Sequence, residues 1–397
     1  MKGPLSGFRV IDLSSVLSGP AATVLLADQG ADVIKVEPPA GDIVRRMGRG
    51  HDSLSPAFVA ANRGKRSVCL NLKEATGVEV VKKLVTGADV FVQNFRPGAI
   101  ERMGLSYEVL QSINPALLYV SVSGFGEQGP YSHKRVYDPV IQALTGLPDM
   151  QADAAEARPK MVRTVIPDKV SALTTAQAIT AALLERERGD GTGQHIKVAM
   201  LDATISFLWP EALAGLTMVG QEHNVRTGQL AQDLIFQTRD GYITCGAVSD
   251  DEWRGMCAAL DRPDWLDDER FNTPLGRVQN AKARLESMSD VLSSRTSAEW
   301  LERLDAEDVP CAPVLTRPEI LENEQVKANE LIHEYNHPSL GEIRQPRPGA
   351  RFSRSELRKE PIAPMLGEHS KEVLQQAGIS DADIETLIKE NILMARD

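Results

Sequence analysis

The stretch that decides the fold is residues 8–39, "FRVIDLSSVLSGPAATVLLADQGADVIKVEPP". It contains a short apolar run, a segment with helical spacing closed by Gly30, and a second apolar run ended by two prolines. Short apolar strands joined by a helix are typical of a βαβ unit, in which the two strands lie parallel in one sheet. The alternation recurs up to about residue 125, in "RSVCLNL", "ATGVEVVKKLVTGA", "DVFVQNF" and "LLYVSVSGFG". The sequence therefore predicts an α/β fold with a parallel sheet covered by helices on both faces.

The pattern changes twice further along the chain. "KVSALTTAQAITAALLERE" carries one apolar stripe and predicts a helix over about 170–187. After about residue 220, "FQTRDGYITCGAVSDDEW" predicts a hairpin leading into a helix, and the chain stays helical and charge-rich to about 325. The tail regains short strands and ends in an amphipathic helix, "DADIETLIKENIL". At 397 residues the chain exceeds what one core usually serves, so we expect a second, smaller domain.

Composition limits the classes of function. The chain is 42% hydrophobic and 25% charged, which is typical of a soluble globular protein. Its formal net charge of -11 argues against nucleic acid as the main partner, because phosphate contacts need a basic face. No apolar run is long enough for a signal peptide or a membrane-spanning helix. The cysteines form no CxxC pair, so we expect a reducing cytoplasm and neither a zinc site nor a disulfide framework; they are Cys69, Cys245, Cys257 and Cys311.

Two motifs suggest cofactors that the surrounding residues do not support. Residues 333–337, "HEYNH", match the zinc motif HExxH, but Pro338 follows at once and the segment reads as a turn between extended runs. The first βα turn, "LSSVLSGPAAT", lacks the GxGxxG spacing of a dinucleotide site. Gly19 and Pro20 leave helix-start amides free for an anionic group, although Pro20 is also an ordinary first-turn proline. We therefore expect no metal, nicotinamide or flavin.

Basic residues are concentrated between residues 41 and 73, where seven stand against two acids. Such a run is usually a solvated surface; the alternative is a cluster that holds phosphates at the mouth of an α/β domain. The pattern alone leaves both interpretations open. The basic residues are Arg45, Arg46, Arg49, Arg63, Lys65, Arg66 and Lys73, opposed by Asp42 and Asp52, with Arg102, Lys134 and Arg135 in later loops.

Asp168 is the candidate for chemistry. In "RTVIPDKVSALTTAQ" it lies between Pro167 and what the spacing predicts as the first turn of a helix. An aspartate ahead of a helix commonly caps it by accepting hydrogen bonds from the first-turn amides. A nucleophilic carboxylate also suits this place, since the helix dipole keeps it ionised and nearby amides could stabilise an oxyanion. Periodicity does not separate the two functions.

Nine further stretches, in order along nearly the whole chain, resemble family III CoA-transferases, which include formyl-CoA transferase, carnitine CoA-transferases and 2-methylacyl-CoA racemases. They are "VIDLSSVLSGPAAT", "GADVIKVEPP", "NRGKRSVCLNLK", "ADVFVQNFRPGAIERMGL", "NPALLYVSVSGFGEQGP", "ERERGDGTGQHIKVAMLDA", "RPDWLDDERFNT", "VPCAPV" and "LGEHSKEVL". The resemblance implies a large Rossmann-like domain formed by 1–220 and 326–397 and a small inserted α+β domain over 221–325. It also implies a homodimer of interlocked subunits.

The resemblance makes Asp168 the nucleophile. Its carboxylate would attack an acyl-CoA thioester to give a mixed anhydride, the released CoA would form an aspartyl-CoA thioester, and the acceptor acid would then collect the CoA. An anhydride retains the energy of the thioester, which suits a carboxylate to this role. Other positions match the family's coenzyme A site: Lys73, Arg102 and Arg135 near phosphates and ribose, and Val16, Leu70, Asn94, Phe95, Met103 and Met200 along the adenine or pantetheine channel.

Departures from the family's patterns bear on the reaction. Tyr137, followed by Asp138, stands where the racemases carry a histidine, and tyrosine is a poor proton acceptor at neutral pH, which favours transfer over racemisation. Leu17 replaces a glutamine of formyl-CoA transferase, Pro38 replaces an arginine near the adenine, and the lid region has fewer glycines. We therefore expect an acid larger than formate or oxalate. An acyl-CoA racemase and a non-catalytic CoA-binding protein remain the alternatives.

Overall fold

The computed structural model describes residues 3–48, 54–152, 158–222, 233–357 and 360–396, so that Arg49 and Asp52 lie outside the described residues. The strands are β1 Arg9–Asp12, β2 Asp32–Glu37, β3 Arg66–Leu70, β4 Val90–Gln93, β5 Leu118–Ser123, β6 His195–Ala199, β7 Ile235–Gln237, β8 Tyr242–Cys245, β9 Cys311–Pro313, β10 Ile332–His337, β11 Gly341–Pro346 and β12 Leu393–Met394. The helices are α1 Ser18–Asp28, α2 Pro56–Asn62, α3 Ala75–Val85, α4 Ala99–Arg102, α5 Tyr107–Ile113, α6 Asp138–Leu144, α7 Leu147–Met150, α8 Ile166–Arg188, α9 Met200–Leu208, α10 Asp250–Ala259, α11 Pro274–Gln279, α12 Ala281–Leu292, α13 Ser297–Ala306, α14 Glu324–Ala328, α15 Ser370–Gln376 and α16 Asp381–Lys389. None of these helices is long and apolar enough to cross a membrane.

The central sheet has the strand order β12-β3-β2-β1-β4-β5-β6. The strands from β3 to β6 pair in parallel, and β12 joins the edge antiparallel to β3. The predicted α/β fold is confirmed, and the predicted parallel sheet is found with one antiparallel strand, β12, at its edge. After β3 the chain crosses back to place β4 on the other side of β1, so the strand order reverses between β1 and β4. In open α/β sheets, ligands bind in the crevice that this reversal leaves at the carboxyl ends of the strands.

Helices cover both faces of this sheet because successive side chains of a strand point to opposite faces. Ile11 belongs to a core cluster that includes residues of α3, α15 and α16. Its neighbour Val10 belongs to a second cluster, which includes residues of α1 and α8. A strand that is buried on both faces reads as a continuous apolar run, which is why the strand positions could be predicted from the sequence.

Both ends of the chain contribute to the first compact unit, Met1–Trp209 with Glu330–Asp397. The C-terminal residues Val373, Ile384 and Leu393 are buried in the same core cluster as Ile11. The tail therefore completes one face of the central sheet and adds its edge strand.

The second compact unit is Pro210–Asn329, which begins earlier than the small domain predicted at 221–325. It contains the antiparallel sheet β7-β8-β9 and a core of its own, in which Trp253, Trp265 and Phe271 pack together. Ser249 caps α10 in a capping box with Glu252, which ends the loop from the hairpin.

The "HEYNH" segment forms β10, which pairs antiparallel with β11, so the two predicted extended runs are confirmed. His333 and His337 lie four residues apart on one strand, a separation of about 13 Å along the backbone. The ring of His333 bonds the carbonyl of Glu330, and that of His337 bonds the carbonyl of Ala363. Both rings therefore have backbone carbonyl partners, which lie outside the two strands.

Candidate active site

Asp168 lies inside the first turn of α8. The helix begins at Ile166, with Pro167 as its second residue, and the residue at the N-cap position is Val165. The expectation that Asp168 precedes the helix is therefore wrong, and of the two alternatives left open for its carboxylate, the capping role is not supported, since no side chain caps α8 from the N-cap position. Proline fits the first helical turn, where its missing N–H removes no intrahelical bond, so it did not mark a boundary here.

Asp138, the first residue of α6, takes the capping role from another part of the chain. Its Oδ2 accepts a hydrogen bond from the backbone N–H of Asp168 at 3.1 Å. Its Oδ1 accepts a bond from the Nε2 of Gln142 at 2.7 Å. The Oε1 of Gln142 in turn accepts from the N–H of Val162, which holds the segment before α8 in place. Asp138 is only 3% exposed, so this carboxylate is fixed by its partners.

The Asp168 carboxylate is half-buried, and its charge is disfavoured where it lies. Burial, and then the nearby Asp138, raise the pKa of Asp168 to about 6, while a hydrogen bond from the backbone N–H of Ser18 opposes the rise. Ser18 is the first residue of α1, so this N–H is one that the helix itself leaves unpaired. At neutral pH the carboxylate is mostly ionised and more basic than an ordinary aspartate, which suits a nucleophile.

The turn before α1, residues 13–17, is held in an unusual conformation. Val16 has a φ of 68°, a left-handed value that β-branched residues rarely adopt. Its N–H points to the carboxylate of Asp42, at 3.2 and 3.3 Å. Lys35 donates to the carbonyl of Ser14 at 2.9 Å and forms an ion pair with Asp42 at 3.1 Å. These bonds fix the turn that delivers the Ser18 amide to Asp168.

Asn94, which follows β4, holds the same turn from its other side. Its Oδ1 accepts from the N–H of Ser15 at 2.9 Å, and its Nδ2 donates to the carbonyl of Ser15 at 2.8 Å. Close approach to the turn also requires glycine at position 19, because a Cβ there would collide with the side chain of Ser14. The start of α1 is therefore held in place by Asn94, which follows β4, as well as by residues of the turn itself.

A second buried ion pair lies close to the first. Lys65 donates to Asp12 at 3.0 Å, and both side chains are fully buried. Burial alone would raise the pKa of Asp12, but Lys65 and Lys35 outweigh it and hold the pKa at about 2. Burial lowers the pKa of Lys65 to about 8, against the opposing charge of Asp12. Both partners are therefore ionised at neutral pH.

Most of the basic run at 41–73 has a structural role that the sequence did not reveal. Four of its members form ion pairs with acids of the sheet or of α1, so neither a solvated surface nor a phosphate cluster describes them. Arg46 and Lys73 are exposed. The pairs are Arg45–Glu37, Arg63–Asp28, Lys65–Asp12 and Arg66–Asp32.

A cavity of about 240 Å³ opens beside Asp168. It is bounded by residues that follow β1, β4 and β5, at the reversal of strand order between β1 and β4. Exposed cations on its lining are Arg96, Lys134 and Arg135. The structure brings together here the predicted residues Val16, Asn94, Phe95, Arg135, Tyr137, Asp138, Asp168 and Met200.

The remaining predicted residues do not line this cavity. Leu70 is fully buried in the core of the central sheet, and Met103 packs partly buried against the same cluster. Leu17 is half-buried at the N-cap of α1. Lys73, which follows β3, and Arg102, the last residue of α4, are exposed.

Sequence reasoning missed two contributors to the site. The backbone N–H of Ser18 carries no side-chain signal, and only the helix start at Gly19-Pro20 pointed to free amides. Arg96 was passed over, although it follows Asn94 and Phe95 directly at the end of the predicted strand β4. The rule that ligands gather at the carboxyl ends of parallel strands would have included it.

Comparisons with known proteins agree with the geometry. The model of the family described as CoA-transferase family III matches residues 5–370. Succinyl-CoA:glutarate CoA-transferase of Mus musculus is 35% identical over 381 residues, covering 94% of this chain and 86% of that protein. Formyl-CoA:oxalate CoA-transferase of Streptomyces coelicolor is 32% identical, covering 98% of this chain and 99% of that protein.

Solved structures show the same fold. A CAIB/BAIF family protein from Brucella suis has a TM-score of 0.83 and 30% identity, covering 95% of this chain and 100% of its own. A hypothetical protein from Mycobacterium tuberculosis has a TM-score of 0.82 and 30% identity, covering 93% and 99%. The chain therefore belongs to CoA-transferase family III and is an enzyme of the CoA-transferase class.

Proposed function

We propose that the protein moves CoA from an acyl-CoA donor to a carboxylic acid acceptor through covalent intermediates on Asp168. In the first half, a carboxylate oxygen of Asp168 attacks the thioester carbonyl, the C–S bond breaks, and CoA leaves as a thiolate. The thiolate then attacks the carboxyl carbon of Asp168, which releases the donor acid and leaves an aspartyl-CoA thioester. No net proton is gained or lost.

The second half runs the same steps in reverse with another acid. The acceptor carboxylate attacks the aspartyl-CoA thioester, which forms a second mixed anhydride and frees the CoA thiolate. The thiolate attacks the acceptor's acyl carbon, and Asp168 leaves as a carboxylate. Each intermediate is about as activated as a thioester, so the transfer needs no other energy source.

The observation that carries this proposal is the environment of Asp168. Its carboxylate borders a cavity, accepts a bond from the Ser18 amide, and has a pKa raised to about 6. A carboxylate that served only the helix would not need to border a cavity, and the capping contact already comes from Asp138. Asp168 is thus left to react.

Coenzyme A is the substrate in this proposal, and its phosphates would meet the cations at the cavity mouth. Arg96, Lys134 and Arg135 supply positive charge there in a chain of net charge -11. Lys73 and Arg102 are exposed and stay candidates for the more distant phosphates and ribose. Leu17, Leu70 and Met103 stay candidate contacts by resemblance alone. Within the described residues, no group of histidines, cysteines and acids is placed to hold a metal, and the proposed steps require none.

The acceptor we propose is an acid larger than oxalate, such as a dicarboxylate or a branched acid. By resemblance, Leu17 stands where formyl-CoA transferase has a glutamine, and Pro38 stands where it has an arginine near the adenine. Relatives named for succinyl-CoA:glutarate transfer and for formyl-CoA:oxalate transfer are both similar to this chain, so the choice rests on these substitutions.

A racemase is the less favoured alternative. Moving an α-proton between two faces needs two groups that can exchange protons beside the substrate. None of the described residues lining the cavity is a histidine, and both oxygens of Asp138 are occupied by hydrogen bonds. Tyr137 is 71% exposed at the start of α6. These features support transfer.

We also propose that two chains assemble as the interlocked homodimer that the resemblance implies. Large apolar side chains on the surface of the first unit support this, since exposed apolar patches commonly mark interfaces. They include Leu173, Leu184, Phe207 and Trp209. Sedimentation equilibrium should give twice the chain mass of 43.3 kDa, and a single-chain mass at micromolar concentration would exclude the assembly.

The transfer is tested by intact mass after mixing with a panel of acyl-CoAs without acceptor. We expect an adduct equal to CoA less water on Asp168, which hydroxylamine removes at neutral pH. Asp168→Ala should carry no adduct and should abolish exchange of CoA between acids. An unmodified, exchange-competent Asp168→Ala variant would refute the proposal. Incorporation of deuterium from deuterated water at the α-carbon of the acyl-CoA, without an acceptor acid, would instead indicate racemisation. Binding of CoA without any adduct would indicate a non-catalytic protein.

A further inference from the structure

Two of the four cysteines face each other in the second unit. Cys245 ends β8 and Cys311 begins β9, and the antiparallel register pairs the two residues directly. Residues directly opposite one another in a sheet place their side chains on the same face. Cys245 and Cys311 are both free thiols, and both line a cavity of about 380 Å³.

The backbone hydrogen bonds show which kind of pair this is. The N–H of Gly246 donates to the carbonyl of Pro310 at 3.3 Å, and the N–H of Val314 donates to that of Tyr242 at 3.0 Å. Bonded and non-bonded pairs alternate along an antiparallel ladder, so Cys245 and Cys311 form a non-hydrogen-bonded pair. The Cα atoms of such a pair are about 4.5 Å apart, within the range of about 4.4–6.8 Å that a disulfide spans.

Access differs between the two thiols. Cys311 is partly exposed, and its Sγ lies 3.4 Å from the Oδ1 of Asp305. Cys245 is only 2% exposed, and the cavity provides its route to small molecules. Cys69 and Cys257 are fully buried in β3 and α10. A reagent in solution therefore meets Cys311 first.

We propose that Cys245 and Cys311 are a reactive cross-strand dithiol that low-molecular-weight disulfides, such as oxidised glutathione, convert to a disulfide bond. The Cys311 thiolate attacks one sulfur of the reagent, forms a mixed disulfide and releases one small thiol. The Cys245 thiolate then attacks the Cys311 sulfur and expels the second small thiol. Two protein thiols are oxidised to one disulfide, one reagent disulfide is reduced to two thiols, and two protons pass from protein to products.

The rate of this reaction should rise with pH. Burial raises the pKa of Cys311 to about 11, helped by the hydrogen bond and charge of Asp305, and burial raises that of Cys245 to about 12. The thiolate is the attacking species. As long as the pH lies below these pKa values, each increase of one pH unit should therefore speed disulfide closure by about tenfold. The two thiols therefore react slowly at neutral pH. They form a disulfide with each other because they are close together, and not because either is unusually acidic.

The test is incubation of the native protein with oxidised glutathione, followed by acid quenching, intact mass and peptide mapping. We expect a loss of about 2 Da and a peptide pair that joins residues 245 and 311. Cys245→Ser should stop at the mixed disulfide on Cys311. Cys257→Ser is the matched control in the same unit and should close as the wild type does.

An independent probe is phenylarsine oxide, which bridges paired thiols. It should protect Cys245 and Cys311 together from alkylation at one arsenic per chain, without any oxidation. Two outcomes would overturn the proposal. One is a wild type that accumulates the mixed disulfide at Cys311 while Cys245 stays free, and the other is a disulfide that involves Cys69 or Cys257. Circular dichroism before and after treatment establishes that the reacting protein is folded. The outcome is independent of the chemistry proposed for Asp168.

Discussion

The carboxylate of Asp138 accepts a hydrogen bond from the backbone N–H of Asp168, at 3.1 Å, and thereby places one negative charge beside another. The same residue thus fixes the start of α8 and raises the pKa of the neighbouring carboxylate. The charge of Asp138 destabilises the ionised form of Asp168, and the Asp168 carboxylate is therefore a more basic nucleophile.

Replacing Asp138 should therefore change the pH profile of the first chemical step. In Asp138→Asn the amide oxygen can still accept from the Asp168 N–H, but the charge is gone, so the pKa of Asp168 should fall. Single-turnover release of CoA, followed with a thiol reagent from about pH 5 to about pH 8, should show its acidic limb shifted to lower pH. Asp149→Asn, an exposed aspartate of α7, should leave the limb in place. An unshifted limb in Asp138→Asn would contradict the electrostatic role.

Removing the charge of Asp168 should stabilise the fold at neutral and higher pH. The pKa rises from 3.8 to about 6 on folding, so the folded state holds the proton more tightly than the unfolded state. Ionisation therefore penalises folding increasingly from about pH 4 to about pH 6, and the full penalty applies above that. Allowing for solvent screening of a half-buried group, Asp168→Asn should raise the free energy of unfolding by about 1–2 kcal/mol at pH 8.

The stability gained by Asp168→Asn should shrink towards pH 4. At that pH the protonated Asp168 of the folded wild type is uncharged, like the asparagine of the variant. Urea unfolding of wild type and variant at a series of pH values measures the difference. A difference that is constant with pH would mean that the asparagine acts through packing, and not through the lost charge.

The strands of the central sheet could be predicted because each is an apolar run between turn residues. The start of α8 could not, because Pro167 resembles a boundary while fitting the first turn equally well. The capping contact could not be predicted either, because the group that accepts the hydrogen bond from the Asp168 N–H is the carboxylate of Asp138, thirty residues away, and a one-dimensional pattern carries no information on such a contact.

The basic run shows a similar limit. The sequence shows the charge of each basic side chain but not the acid with which it pairs. Two of these acids, Asp12 and Glu37, are the last residues of strands that were predicted from their apolar runs. The residues around the cavity could be anticipated only in part. Their shared position after β1, β4 and β5 follows from the topology, whereas the bonds that fix the turn at Val16 appear only in three dimensions.

The buried pair of Lys35 and Asp42 should be essential to the fold and to the turn that it supports. Lys35→Met leaves the Asp42 carboxylate buried without its cation, which should lower the free energy of unfolding by about 3–5 kcal/mol. Lys83→Met, the same change at an exposed position of α3, should alter it by less than about 0.5 kcal/mol. Chemical denaturation measures both. A double variant, Lys35→Met with Asp42→Asn, should recover part of the loss because no charge is left unpaired, and failure to recover would assign the loss to packing alone.

Gly19 tests how closely α1 must approach the turn before it. An alanine in a helix is ordinarily favoured over glycine by up to about 1 kcal/mol, so Gly19→Ala would stabilise α1 if space allowed. The structure leaves none, since a Cβ at Gly19 would meet the side chain of Ser14. We therefore expect the opposite sign, a loss of about 1–3 kcal/mol, together with slower formation of the aspartyl adduct as the Ser18 amide is displaced. Gly87→Ala is the matched control, because a Cβ at Gly87 meets no atom within 4 Å. A stabilised Gly19→Ala variant with an unchanged rate of adduct formation would show that the turn yields easily, and that the strained conformation of Val16 does not fix the amide that Asp168 uses.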